Sequence, residues 1–420
     1  MTAVVDHPPT AVGSGLRSPF GPLAPALTVA AAYVAASLTW VVAGAQLPGG
    51  RWLAVHLFTL GLLTNLILAF AEHFGRTLTR TPGSMPAWQL PVVNVGIVAT
   101  LAGLPGGQRW LTGTGAMILM VVVFASYVRL RRMRRSALGA RFGWIVRVHE
   151  RAHGAFIHGA ALGLLMGVGV LDGAWYGSAR LAHLHVNLLG WGGLTLLATL
   201  VFFGPTMART RIVTGSDDRA ARALRHGATS LTIGVLALLG TGVGGAPSTA
   251  LRMVSAAGLA VFAWSVVVTC WPVALAARGG ARTASRWPVI WLCSWFALVV
   301  WVDVAVVATG SWSRLDALGL ALLLGVLAQA MLATILHVLP LMVRDDRVRA
   351  AARDRLDRAA ALRAGLWNLG AAAVVVAALV RGSGPGAALA RTGWALVLAA
   401  VAWTVVVAAG ARTQAVRAGR

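Results

Sequence analysis

The chain has 420 residues and a net charge of +24; 58% of its residues are hydrophobic and only 11% are charged. A soluble protein of this length needs far more polar surface, so this composition and a mean hydropathy of +0.76 exclude that class. The charge is also no sign of nucleic-acid binding, because no soluble domain remains to present a basic patch.

Apolar runs of roughly 20 residues, long enough to cross a bilayer, recur along the whole chain. Because backbone polar groups in lipid must be satisfied within the segment, these runs predict helices, and the fold class is an all-α polytopic membrane bundle. Twelve spans are predicted, at 22–46, 51–74, 86–104, 111–130, 152–171, 182–204, 227–246, 250–276, 287–309, 315–341, 361–380 and 387–410.

Arginine placement predicts the orientation of these spans. All 36 basic residues are arginine; 29 lie on connections of one side if the amino terminus is cytoplasmic, and seven lie on the other. Such an excess predicts cytoplasmic termini and basic loops that touch lipid headgroups. We expect a flexible cytoplasmic tail at 1–21 without a cleavable signal peptide, a single membrane domain at 22–410 and a second cytoplasmic tail at 411–420. The charged segment 344–363 is expected to be a solvated charged connection; a surface helix or an extension of span 11 is the alternative.

Three segments share one sequence frame. Gly61 and Gly190 each follow a histidine by five residues, His56 and His185, whereas the third frame glycine, Gly325, follows Leu320. Twelve residues after the three glycines stand His73, Phe202 and His337. The glycines are 129 and 135 residues apart, which predicts three groups of four helices that carry polar ligands at matched depth.

Histidines form the candidate binding sites, because intramembrane ionisable residues are costly and are functional candidates by default. The topology puts His56, His183 and His185 at the outer ends of spans 2 and 6. It puts His73 and His337 at inner ends, roughly 25 Å from the outer layer at 1.5 Å per helical residue, so they are predicted to share a second, inner cofactor site. The frame selects His185 as the partner of His56, with His183 assisting. Imidazole suits haem iron, copper and zinc, so ligand type leaves the metal open.

Other polar residues have two interpretations each. Asn65, Asn187 and Gln329 could orient ligating imidazoles or bond between helices. His149 and His153 share a helix face, but the charges beside them favour a wet location at headgroup level. Glu72 and Asp303 are candidates for a proton path. The two cysteines, Cys270 and Cys293, are expected to pack as small apolar groups.

At this point the sequence resembles a known superfamily. Twelve spans with key residues on spans 2, 6 and 10 are similar to subunit I of the haem-copper oxidases. Segment 180–191, with Pro205 beyond it, resembles bacterial oxidase-like membrane proteins near the NnrS type, which contain haem and copper and are linked to nitric oxide metabolism. Segments 56–65 and 329–340 are similar to the motifs of spans 2 and 10 in that group.

The resemblance implies a haem b or copper protein of the bacterial inner membrane, acting in electron transfer or nitrogen-oxide metabolism with a redox partner protein. The chain departs from the oxidases where their copper site lies: span 7 carries only His226, and span 10 carries only His337. Oxygen reduction is therefore not expected. A proton-coupled or metal-related secondary transporter is the alternative function, since intramembrane histidines can also relay protons. A structural partner of a redox complex, without a cofactor, is a third.

Overall fold

The computed structural model describes residues 21–137, 141–242, 249–343, 345–380 and 384–418. Within these residues the protein is 86% helical and has no strands. The predicted amino-terminal tail, apart from residue 21, lies outside the described residues, as do the last two residues of the predicted carboxy-terminal tail. The all-α class predicted from the apolar runs is confirmed.

Thirteen helices, α1 to α13, follow one another along the described chain; α2, α6 and α10 contain three consecutive segments each. Their bounds are Ala24–Ala43 (α1), Gly50–His56, Leu57–Leu63 and Thr64–Thr79 (α2), Gln89–Gly103 (α3), Arg109–Ser136 (α4), Gly143–Gly167 (α5), Gly173–His185, Val186–Gly193 and Leu194–Met207 (α6), Ser216–Gly240 (α7), Thr249–Gly279 (α8), Arg286–Thr309 (α9), Leu315–Leu320, Ala321–Leu327 and Ala328–Leu341 (α10), Asp346–Asp357 (α11), Ala360–Leu379 (α12) and Gly384–Ala418 (α13).

Ten of these helices are long and apolar enough to cross a membrane, which makes the chain a multi-pass membrane protein. The ten are α1, α2, α4, α6, α7, α8, α9, α10, α12 and α13. Helix α3 is apolar but only 15 residues long, and α5 begins nine residues before its apolar run. Large apolar side chains such as Val121, Trp264 and Leu298 are exposed on the outside of the bundle, as lipid contact requires.

Helices α5 and α7 extend beyond their apolar runs, and each extension contains an acidic residue that is paired with an arginine. Glu150 of α5 receives hydrogen bonds from both Arg134 nitrogens, at 2.5 and 3.1 Å. Asp217 in the first turn of α7 accepts two hydrogen bonds from Arg141, the shorter at 2.7 Å. Paired and hydrogen-bonded charges can lie at a helix end where a lone charge would be costly. The spans predicted from hydropathy alone therefore begin several residues after the observed starts of α5 and α7.

One end of the bundle carries most of the arginine, and we call it the arginine-rich end. There Arg141, before α5, reaches Asp217 of α7, and the amide of Ala284, before α9, donates to Asp357 at the end of α11. Helix α11 lies across this end. The Asp345 side chain caps it by accepting from the Val348 amide at 2.9 Å. The surface-helix interpretation of segment 344–363 is thus the one that the structure adopts.

Helices α2, α6 and α10 each contain a π-helical segment, at Leu57–Leu63, Val186–Gly193 and Ala321–Leu327. Each begins one residue after the first position of the sequence frame, at residues 56, 185 and 320. Longer π-helical segments are rare and often occur at functional sites. The repeated sequence frame therefore coincides with a repeated backbone geometry.

The frame glycines explain why each π segment packs closely against a neighbour. The ring of Tyr33 in α1 occupies the place of a Cβ on Gly61. A Cβ on Gly190 would lie 2.8 Å from Ala155 Cβ in α5, and one on Gly325 would lie 2.6 Å from the Trp295 ring in α9. Glycine is needed at all three positions because a larger residue would push the helices apart.

Candidate functional site

His56 is the last residue before the π segment of α2. Its Nδ1 lies 2.8 Å from the carbonyl oxygen of Trp52, and its ring stacks on the Trp52 indole at 4.0 Å between centroids. A carbonyl oxygen only accepts, so Nδ1 carries the hydrogen and, in the neutral ring, Nε2 keeps a lone pair. The ring is half-buried. The sequence therefore presents an oriented imidazole with a free ligating nitrogen.

His183 has the same hydrogen-bond arrangement on α6. Its Nδ1 lies 2.8 Å from the carbonyl oxygen of Gly159 in α5, which again leaves the Nε2 lone pair. The two rings lie close enough to interact electrostatically. Nδ1–H bonds to carbonyl oxygens orient metal-binding imidazoles in many proteins. His56 and His183 are thus a pair of prepared imidazoles from α2 and α6.

A groove on α5 fixes the position of His183. A Cβ added to Gly163 would lie 2.8 Å from the His183 ring, and the Asn187 amide occupies the place of a Cβ on Gly159. Asn187 Nδ2 also donates to the His183 carbonyl oxygen at 2.9 Å and lies 3.2 Å from His183 Nδ1. Of the three amides predicted to support a ligand, Asn187 is the one that contacts a candidate histidine.

His185 forms an ion pair with α9. Its Nε2 lies 3.2 Å from Asp303 Oδ2, and both side chains are more than 90% buried. Its Nδ1 donates to the Leu181 carbonyl oxygen at 2.8 Å. Both ring nitrogens therefore face oxygen atoms, and in the protonated imidazolium form both donate and no lone pair is left for a metal. The sharing of a ligand by His56 and His185 stays a prediction, and the geometry favours His183 as the partner of His56.

His73 and His337 lie toward the arginine-rich end of α2 and α10. The rings between them form a continuous aromatic path: His73 contacts Phe74 at 5.6 Å, Phe74 contacts Phe203 at 5.2 Å, and Phe203 contacts His337 at 5.2 Å between centroids. Phe202, the frame position on α6, also packs on Phe74. The predicted shared inner site therefore has two phenyl rings in the contact path between its histidines.

Asn65 and Gln329 form matching amide pairs with a later helix, α3 for Asn65 and α12 for Gln329. Asn65 Nδ2 donates to the Gly61 carbonyl oxygen at 2.8 Å and exchanges two hydrogen bonds with Asn94 of α3. Gln329 Nε2 donates to the Gly325 carbonyl oxygen at 2.9 Å and exchanges two with Asn368 of α12. Both amides follow their frame glycine by four residues. Their observed contacts favour the interhelical interpretation.

A buried polar network lies nearer the arginine-rich end, and sequence reasoning missed most of it. Glu72 is 1% exposed and pairs with Arg129 of α4 at 2.6 Å. Ser126 of α4 donates to Glu72 at 3.0 Å and lies 3.2 Å from His153 Nε2. His149 and His153 are 1% and 0% exposed, although their charged neighbours favour a wet location in the sequence. Among those charges, Glu150 pairs with Arg134 of α4, a long-range contact that hydropathy does not reveal.

Two cysteines and an apolar cleft lie apart from the histidine sites. Cys270 and Cys293 are both buried, on α8 and α9, and lie close enough to interact. An apolar cleft of about 1170 Å³ runs beside α1, α2, α10, α12 and α13, and Phe58 and Leu62 of α2 are among its lining residues. Across the described ranges, no group of three or more histidine, cysteine or acidic side chains is arranged to hold a metal ion.

Comparison with known proteins adds no assignment. No protein-family model matches the sequence, and no curated protein matches it.

Proposed function

We propose that the protein is a haem-binding integral membrane protein in which the imidazoles of His56 in α2 and His183 in α6 would hold the iron of haem b. The observation that carries this proposal is the shared anchoring of the two rings, each donating Nδ1–H to a carbonyl oxygen at 2.8 Å and keeping Nε2 for a ligand. Haem held by two imidazoles supplies one-electron transfer. Copper is the alternative occupant, since imidazole suits it as well.

The surroundings of His183 support the fit. The Gly159–Gly163 groove leaves no room for a Cβ beside the His183 ring and the Asn187 amide, so the imidazole cannot turn freely about its side-chain bonds. Trp52 restrains His56 in the same way by stacking. Preoriented ligands raise metal affinity because less side-chain freedom is lost on binding. His185, paired with Asp303, places a charged group two residues from one ligand.

The proposal includes the finer architecture. We infer twelve membrane crossings, with α3 and α5 added to the ten long apolar helices, in three groups of four resembling subunit I of the haem-copper oxidases and their NnrS-type relatives. The matched π segments and amide pairs support this arrangement. The arginine distribution supports cytoplasmic termini in a bacterial inner membrane. Lipid acyl chains suit the apolar cleft, and a redox partner protein would exchange electrons with the haem.

The test is the visible spectrum of protein purified in detergent from haem-replete cells, with iron and copper measured on the same sample. We expect a Soret band that shifts on reduction with dithionite. His56→Ala and His183→Ala should each remove or shift it, whereas His158→Ala should leave it unchanged, because His158 is exposed. A colourless preparation without iron or copper would refute the proposal.

His185→Ala distinguishes the two candidate ligands on α6. If His183 is the ligand, the folded fraction of His185→Ala keeps its Soret band while its yield falls. If the repeat frame instead identifies the ligand, His185→Ala loses the band and His183→Ala keeps it. Size-exclusion chromatography of each variant separates loss of haem from loss of folding.

A proton-coupled transporter is the second candidate, favoured by the buried pair His185–Asp303 and by the buried Glu72. Intramembrane ion pairs of this kind occur in proton relays. This function predicts a metal-free, colourless protein in which Asp303→Asn abolishes proton-driven uptake into vesicles while folding is kept. The spectrum and the metal analysis therefore decide between the two functions.

A further inference from the structure

Among the residues that the structure describes, four buried polar atoms of α5 and α6 have no hydrogen-bond partner. They are both ring nitrogens of His149, the indole nitrogen of Trp191 and the hydroxyl of Thr195. The three side chains belong to residues that are 1%, 3% and 8% exposed. None of them belongs to the proposed haem site, and folded proteins seldom leave buried polar atoms unpaired.

The four atoms lie on two antiparallel helices, α5 and α6, that pack against each other along a seam. His153 of α5 packs edge-on against the Trp191 ring of α6, with 4.9 Å between centroids. Helices α5 and α6 are joined by a short connection. Four residues further from this connection, residue 149 follows 153 on α5 and residue 195 follows 191 on α6. Residues four apart share a helix face. His149 and Thr195 thus continue the seam that His153 and Trp191 begin.

The chemistry of the seam matches water. Trp191 Nε1 donates only, a neutral imidazole offers one donor and one acceptor, and a hydroxyl offers both. A water molecule makes two to four hydrogen bonds and is the usual partner of otherwise unsatisfied buried groups. None of the four atoms belongs to an acidic or arginine side chain, so the seam offers no counter-charge to a bound ion.

Hydrogen bonds connect the seam to the arginine-rich end. His153 Nε2 lies 3.2 Å from Ser126 Oγ, and Ser126 donates to Glu72, whose carboxylate is held by Arg129. His153 Nδ1 donates to the His149 carbonyl oxygen at 2.7 Å. His153 therefore bridges the seam and the ion pair.

We propose that the α5–α6 seam binds a cluster of ordered water molecules, open to the arginine-rich end, that brings solvent-derived protons to His153. Each transfer moves a proton from one hydrogen-bonded oxygen or nitrogen to the next and involves no oxidation. The proposal is independent of the haem site, since none of its residues contacts His56 or His183 in the structure described.

Cysteine accessibility tests the opening. In a Cys270→Ser, Cys293→Ser background, Thr195→Cys is exposed to 2-hydroxyethyl methanethiosulfonate, a neutral, water-soluble reagent that attacks only the thiolate. Ala198→Cys is the matched control, since residue 198 lies on the same helix, is fully buried and belongs to the apolar core. We expect complete labelling at 195 and none at 198, because a thiol ionises only where water reaches it. Absence of labelling at both positions overturns the proposal.

A stability comparison guards against misfolded variants. Thr195→Val keeps the shape of the side chain and removes only the hydroxyl. If water binds there, the midpoint of thermal unfolding falls; if the seam is dry, the midpoint stays or rises, which contradicts the proposal. Thr199→Val is the control, because its hydroxyl bonds to the Thr195 carbonyl oxygen and not to the seam.

Water contact with His153 tests the proton route. In bilayers containing protein with ¹⁵N-labelled histidine, transfer of magnetisation from water should reach the His153 nitrogens, whose signals are identified by their loss in His153→Gln. The combined variant His149→Phe, Thr195→Val should lose most of this transfer, while His226, exposed beside the arginines near the start of α7, keeps its own. Equal transfer to His153 in both proteins would exclude the seam as the route.

Discussion

A charged His185 depends on the Asp303 carboxylate as its partner. Removing one partner of a buried ion pair leaves the other uncompensated, which costs about 3–5 kcal/mol. We therefore expect Asp303→Ala to lower the free energy of unfolding by about that amount, measured by denaturant unfolding in detergent.

Asp316→Ala is the matched control for this loss. Asp316 meets Arg51 at 3.5 Å with both side chains partly exposed, at 34% and 55%. Exposed pairs contribute at most about 1 kcal/mol. Equal losses in the two variants would mean that the His185–Asp303 contact is not a buried ion pair.

Gly163 sets the position of His183. A methyl group there would lie 2.8 Å from the imidazole, so Gly163→Ala should displace the ring, cost about 1–3 kcal/mol through overpacking and weaken haem binding. The measurement is haem content per folded protein after titration with haem. Gly154→Ala on the same helix is the control, because no atom lies within 4 Å of its added Cβ. Unchanged haem content in Gly163→Ala would remove His183 from the site.

At the scale of the element, amide pairs hold two of the three π segments, those of α2 and α10, to a neighbouring helix. Asn368 Oδ1 accepts from Gln329 Nε2 at 3.0 Å and from Trp295 Nε1 at 2.8 Å, so it joins α9, α10 and α12. Interhelical hydrogen bonds in membranes contribute about 0.6 kcal/mol on average and up to about 1.7. A double-mutant cycle of Gln329→Leu and Asn368→Leu should give a coupling energy in that range, measured by unfolding in mixed detergent.

Two outcomes check the interpretation of that cycle. Asn65→Leu with Asn94→Leu should give a coupling energy of similar size, because the first pair has the same hydrogen bonds as the second. Leu194, four residues after Gly190, stands where the other two segments have the amide, so no such coupling is expected in α6. Additive effects in both cycles would show that the amides are satisfied separately.

The helices also show which features of the fold the sequence predicts and which it does not. Apolar length predicts twelve spans, of which ten correspond to the long apolar helices. The glycine frame selects the three helices that contain π segments, but it does not predict the π geometry itself. The rotation of side chains about those helices is not predictable from the frame. Residues 183 and 185 point to different sides of one helix, and only packing decides that 185 turns to Asp303 and 183 turns to α5. Glu72 and Arg129 are likewise paired across 57 positions of sequence, which no local pattern reveals.

At the scale of the whole molecule, the distribution of arginine predicts which end of the bundle faces the cytoplasm. Arginine accumulates at the end that carries α11, and basic segments are retained on the cytoplasmic side of a membrane. In a Cys270→Ser, Cys293→Ser background, an impermeant maleimide applied to intact spheroplasts should label Gln108→Cys and leave Asp354→Cys unlabelled. Both positions are exposed, so accessibility within the protein does not explain a difference.

Lysed membranes complete that experiment, because both cysteines should then react to the same extent. The opposite pattern in spheroplasts would put α11 and the polar network at the periplasmic side. The water seam would then draw protons from outside the cell, and the pair His56–His183 would face the cytoplasm. The direction of any proton or electron movement through the bundle therefore depends on this one measurement, since the seam and the imidazole pair lie toward opposite ends of α6.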